Sequence, residues 1–327
     1  MKKFMKGCAI TAFIFAVLGC VLGMIGSTMA GRTTISQVVE AATGGRVYLN
    51  PEKWWSWSMN MGGDILDEIG DIDFIGDFDI GEASMFDANK DIYFEGDVEK
   101  YCPGTDIRDL EIEVGGCFLE TKVSGDDRIY LEMKNAHKFQ GYVEDGTLYI
   151  RATTGSVNHW SDIGSREITL YLPENYSFHE VKANLGAGAM IFDRLKAEEA
   201  FLEAGAGRIA VNSVQAKSLE LSIGAGSIEL TDMEVDTLEA EVGMGEFLAD
   251  GAINGSASVE CSMGNVEMVL EGSEKDFNYQ LEGSLGNIDV GDERFSGFSQ
   301  EKEIKNHAGK DMEIECSMGN ISIRFRE

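Results

Sequence analysis

Residues 219–230 read LELSIGAGSIEL, and the chain keeps returning to that pattern. Earlier copies are VKANLGAGAMIF from Val181 and AFLEAGAGRIAV from Ala200. Later copies are LEAEVGMGEFLA from Leu238, ASVECSMGNVEM from Ala257, YQLEGSLGNIDV from Tyr279 and MEIECSMGNISI from Met312. One glycine occurs in all of them: Gly188, Gly207, Gly226, Gly245, Gly264, Gly286 and Gly319. The steps between these glycines are 19, 19, 19, 19, 22 and 33 residues. Self-similarity at a fixed short period marks a repeat architecture, in which no unit can bury its apolar face alone.

The residues around the glycine say which repeat it is. One position before it stand Ala187, Ala206, Ala225, Met244, Met263, Leu285 and Met318. Two positions after it stand Met190, Ile209, Ile228, Phe247, Val266, Ile288 and Ile321, and apolar residues recur two positions further on. Mostly polar residues lie between. A local period of two is the strand signature, whereas a helical repeat would space its apolar residues by three and four. Each unit therefore reads as strand, glycine corner, strand and turn. The shared glycine implies either a positive φ or a corner too tight for a Cβ. The fold class expected is all-β, a β-solenoid of coils of about 19 residues; at about 4.8 Å per coil, seven coils span roughly 34 Å. Stacked in chain order, the coils of Cys261 and Cys316 have one coil between them. That separates the two Cα atoms by about 10 Å, beyond the roughly 7 Å limit for a disulfide, and implies two buried free thiols. A Cys102–Cys117 pairing stays open.

Composition agrees with such a chain. Glycine is 39 of 327 residues and proline only 3, as suits a backbone committed to sheet ladders. The net charge of −30 excludes a nucleic-acid partner, which needs a basic surface. A hydrophobic share of 43% allows a core and excludes wholesale disorder.

The first 31 residues form a separate segment. Lys2, Lys3 and Lys6 precede an uncharged run from Gly7 to Gly31, long enough to span a bilayer as a helix. The lysines place the N-terminus in the cytoplasm and the remainder outside. The first reading is an uncleaved single-pass signal anchor in the cell membrane. A cleaved signal peptide at Thr28-Met29-Ala30 and a lipoprotein at Val17-Leu18-Gly19-Cys20 are the alternatives. Residues 32–108 read as an acidic, Trp-containing linker, partly disordered. The run DILDEIGDIDFIGDFD from Asp64 touches on calcium chemistry but lacks the EF-hand spacing. Trp54, Trp55 and Trp57 suit a membrane interface or packing against the folded domain.

Residues 109–180 read as an irregular β front end or cap, and 181–327 as the solenoid repeats. The front end combines LEIEVGG from Leu110, a strand pair, and ITLYLPENYSFHEVKANLGAG from Ile168. With the GAGxI and SMGNI units that follow, it resembles the bacterial "putative adhesin" family, a domain-of-unknown-function family of β-solenoids that often follow one membrane segment. The resemblance covers residues 110 to 327. It implies surface exposure and a role in adhesion or in cell-envelope stress signalling, and it brings no catalytic residues.

No active site is legible. His137, His159, His179 and His307 stand in no metal-ligand spacing. No GxSxG elbow occurs, and the glycine corners lack the lysine and helix of a phosphate loop. No cofactor is implied. The expectation is a membrane-anchored, extracytoplasmic, non-enzymatic β-solenoid that meets a protein or glycan at the cell envelope. An accessory role in envelope stress signalling is the alternative, and a carbohydrate-active β-helix enzyme comes last. The 33-residue step carries the candidate partner-binding loop, with Phe295, Phe298 and His307, because loops on rigid scaffolds often hold function.

Overall fold

A computed structural model describes residues 93–104, 106–153, 166–296 and 300–326. The membrane segment, the acidic linker as far as residue 92, the Trp54–Trp55–Trp57 cluster, His159 and Phe298 lie outside the described residues. The front end holds β1 (Tyr93–Tyr101), β2 (Asp109–Gly115), β3 (Cys117–Val123), β4 (Tyr130–Glu144), β5 (Thr147–Thr153) and β6 (Glu167–Leu172). The regular coils hold β7 (Phe178–Leu185), β8 (Gly188–Phe192), β9 (Leu195–Ala204), β10 (Arg208–Val211), β11 (Val214–Ile223), β12 (Ser227–Val242), β13 (Glu246–Ile253), β14 (Ala257–Cys261) and β15 (Asn265–Glu271). The remainder is β16 (Phe277–Gly283), β17 (Asn287–Val290), β18 (Glu293–Ser296), β19 (Gln300–Ile304), β20 (Lys310–Cys316) and β21 (Asn320–Arg326).

Coils stack as parallel ladders in register. On one side Val181, Ala200, Leu219, Leu238 and Ala257 are successive partners. Past the corner the partners are Met190, Ile209, Ile228, Phe247 and Val266. A short third ladder carries Leu195, Val214 and Met233. All these side chains are at most 5% exposed, and burying each one larger than alanine contributes about 1.5–3 kcal/mol. The same ladders run unbroken across residue 180, because Leu110 pairs with Val181 and Leu119 with Met190.

The stacking order departs from chain order at both ends. β2–β3 sits second from the front, between β7–β8 and an outer coil formed by β5–β6. Likewise β20–β21 sits second from the rear, between β14–β15 and an outer coil formed by β16–β17. The expectation that one coil separates Cys261 from Cys316 is therefore corrected: the two are direct register partners. Both are buried and free, as is Cys117, while Cys102 is exposed; the Cys102–Cys117 pairing is not formed.

Antiparallel strands close each end. β4 crosses the front, pairing with β6 through Leu131–Leu170 and with β5 through Gly141–Ile150. Asp145 and Gly146 join β4 to β5 with φ of 50° and 83°, the two-residue reversal that an Asp-Gly sequence favours. β1 lies outside β4. At the rear, β18 lies antiparallel on β17 and β19 on β16. The outer strand β19 reads QEKEI, and such charges discourage further strand addition.

Candidate functional site at the glycine corner

The shared glycines form one column along the corner, and the structure decides why they are glycines. Only Gly188, at φ +100°, has a positive φ. The others answer to close approach between coils. A Cβ on Gly226 would stand 2.2 Å from the Gly207 carbonyl oxygen, one on Gly245 2.2 Å from that of Gly226, and one on Gly264 2.4 Å from that of Gly245. In the β2–β3 coil, Cys117 stands in this column as the partner of Gly188.

The residue before each glycine points outward. In space the column runs Ala187, Ala206, Ala225, Met244, Met263, Met318 and Leu285. Met318 is 42% and Leu285 61% exposed, against an average side chain in the ladders that is buried. This apolar column is surface, although the sequence pattern grouped it with apolar core columns. Across the corner the buried positions, such as Ile223 and Ile228, are an odd number of residues apart, so the two-residue alternation of facing is broken there. An open groove of about 680 Å³ follows the corner, lined in part by Gly207, Gly226, Met244, Met263 and Asn320.

The backbone N–H that precedes each corner glycine from Gly207 onward is bonded between coils. The N–H groups of Ala206, Ala225, Met244 and Met263 donate to the carbonyls of Gly186, Gly205, Gly224 and Gly243 at 2.7–2.8 Å. Those of Met318 and Leu285 donate to Ser262 and Ser317, both at 2.7 Å. What the corner offers a partner is shape and apolar contact. Its rim is amide-rich at the rear, where Asn265, Asn320 and Asn287 stack in register and Asn287 Nδ2 donates to Asn320 Oδ1 at 2.8 Å.

The sheet face beside the corner is acidic at the rear. Glu241, Glu260, Glu315 and Glu282 are successive partners. Burial first, and then the neighbouring Glu315 and Glu241, raise the Glu260 carboxyl above its ordinary range. At the outermost front coils the rows carry opposite charges. Arg151 lies 3.2 Å from Glu111 and 3.5 Å from Glu113, and its guanidinium faces the Tyr149 ring at 5.2 Å.

The candidate partner loop turns out to be the rear cap. Phe295 is 8% exposed and plugs the end of the core: a Cβ on Gly283 would meet its ring at 2.9 Å. His307 is exposed on a turn with φ 57°. The structure does not bring Phe295 and His307 to the groove. Among the described residues, no group of three His, Cys, Asp or Glu side chains is placed to hold a metal ion, and no helix is long and apolar enough to cross a membrane.

A family profile described as Toastrack DUF4097 matches residues 107–221 and 187–324. Similar solved structures include a "putative adhesin" from Bacteroides fragilis, at 14% identity and a TM-score of 0.41 over 72% of this chain and 98% of that one. Another is a "putative lipid binding protein" from Parabacteroides distasonis, at 20% identity and a TM-score of 0.40 over 70% and 96%. A third is a "putative cell adhesion protein" from Clostridium sporogenes, at 14% identity and a TM-score of 0.31 over 72% and 99%. No curated protein matches the sequence.

Proposed function

The chain belongs to the Toastrack DUF4097 family, and we propose that it is a non-enzymatic, adhesin-like interaction protein, tethered to the cell membrane by its N-terminal segment with the solenoid outside. The observation that carries this reading is the rear corner. Met318 and Leu285 are exposed there, beyond the Met263 and Asn320 end of a groove whose floor is glycine. Packing does not require large apolar side chains at those outward positions, since alanine fills them in the front coils. An apolar rim around stacked asparagines suits contact with a protein or glycan surface.

The tether rests on the charge asymmetry around residues 7–31. The test of the binding reading uses the full chain in nanodiscs, carrying Met318→Lys and Leu285→Lys together. Binding to glycan arrays and to cell-envelope fractions should fall at least tenfold while Tm stays within a few degrees. Unchanged binding would remove the corner from the account. Co-purification with a membrane kinase or transporter, in place of adhesion, would favour the regulatory alternative. The tether is tested by carbonate extraction and N-terminal sequencing: a mature chain starting at Gly31 would contradict an anchor.

A further inference from the structure

Coil exchange at the rear places two thiols side by side. Cys261 in β14 and Cys316 in β20 are register partners on adjacent parallel strands, 2% and 0% exposed on the same inward face. Neighbouring strands lie about 4.8 Å apart, inside the Cα range of about 4.4–6.8 Å that a disulfide spans. The covering above them is thin. A Cβ on Gly319 would come 2.6 Å from Cys261 Sγ, and one on Gly286 2.3 Å from Cys316 Sγ. Corner glycines Gly319 and Gly286 therefore pack directly against the sulfurs.

We propose that Cys261 and Cys316 are a thiol–disulfide cross-link site, oxidised by a small-molecule disulfide, that fastens the last coil into the body of the solenoid. The chain between them contains the outer rear coil and its cap, so the bond closes a loop around that whole end. Contact between the two thiols holds the Cys316 sulfur below the ordinary thiol range and pushes Cys261 above it, which makes Cys316 the first nucleophile. Its thiolate attacks one sulfur of the oxidant. The oxidant's S–S bond breaks, and one thiol leaves carrying the Cys316 proton. Cys261 then attacks the Cys316 sulfur of the mixed disulfide, gives up its proton, and releases the second thiol. Two protein thiols are oxidised, and one disulfide is reduced to two thiols.

The other thiols serve as internal references. Cys102 is exposed and Cys117 buried, and burial pushes the Cys117 thiol up to about 12. The full chain in detergent is incubated with oxidised glutathione, alkylated, digested without reduction and mapped by mass spectrometry. The expected products are a Cys261–Cys316 linked peptide and a modified Cys102, with no link to Cys117, whose register partner is Gly188. In the linked form, hydrogen exchange across residues 312–326 should slow at least tenfold. Cys261 and Cys316 both free, or each carrying its own glutathione, after Cys102 has reacted would overturn the proposal. The Cys102→Ser chain should give the same linked peptide, and its loss there would equally overturn a direct reaction of the pair.

Discussion

Front coils, with GAG at 186–188, 205–207 and 224–226, and rear coils, with SMGN at 262–265 and 317–320 and SLGN at 284–287, share one ladder and differ in surface. The front has alanine at the corner, and the outermost coil ahead of it sets Arg151 against Glu111 and Glu113, although Glu220 already stacks on Glu239 midway. The rear has exposed Met318 and Leu285, and its face stacks Glu260 on Glu315. Like charges directly opposite each other on a sheet are destabilising. Backbone and core requirements are the same in both halves, so they do not account for the difference. The rear surface carries features that folding alone does not demand, and that is where the proposed binding role is placed.

The strongest challenge to the shared ladder is a corner glycine. Gly226→Ala in the front and Gly264→Ala in the rear should each cost more than about 3 kcal/mol, because the added Cβ meets backbone oxygen in the coil beneath. Gly125→Ala meets nothing within 4 Å and should leave denaturant unfolding unchanged. A tolerated Gly226→Ala would mean that the coils can spread apart. Next in size, Phe295→Ala should cost about 3 kcal/mol by opening the rear core at Gly283, and should leave partner binding intact.

Smaller substitutions separate the halves by sign. Glu260→Gln should raise Tm at neutral pH by a few degrees, because it removes repulsion worth about 0.2–1 kcal/mol. Glu111→Gln should lower Tm by a similar amount, because it removes charge beside Arg151. Titration should also show opposite signs. Glu260 has a raised folded-state pKa, so its repulsion is relieved as pH falls into the carboxylate range and returns as pH rises through it. Asp109 is held below its usual range, chiefly by its hydrogen bond from Arg108. Its stabilisation is present above the ordinary aspartate range and lost as pH falls through the lowered value. The Glu260→Gln gain should therefore shrink at acid pH. Equal Tm changes at both sites, or a gain independent of pH, would remove the electrostatic distinction.

Much of this was legible in the sequence, for local reasons. The 19-residue step and the period of two gave the coils, because each coil obeys the same packing constraint. Stacking order was not legible at the ends. The ECSMGN copies at 260–265 and 315–320 are identical, and nothing within a copy tells which neighbour it takes. The available clue was the identity itself: cysteine sits on cysteine and methionine on methionine. The exposed column was missed for a similar reason. Ala206 and Met263 look like core to a two-residue period, which does not register that the glycine corner turns the chain outward. Phe295 was recognised as special, but its role came only from seeing that it fills the space over Gly283.

Photo-cross-linking in intact cells tests the central claim most directly. A benzophenone side chain is placed at Leu285 or Met318 in the rear and at Ala206 or Ala225 in the front, and irradiated chains are resolved by size. Discrete adducts from the rear positions with none from the front are the expected result. Adducts from the front alone, or from neither half, would contradict a binding surface on the rear corner.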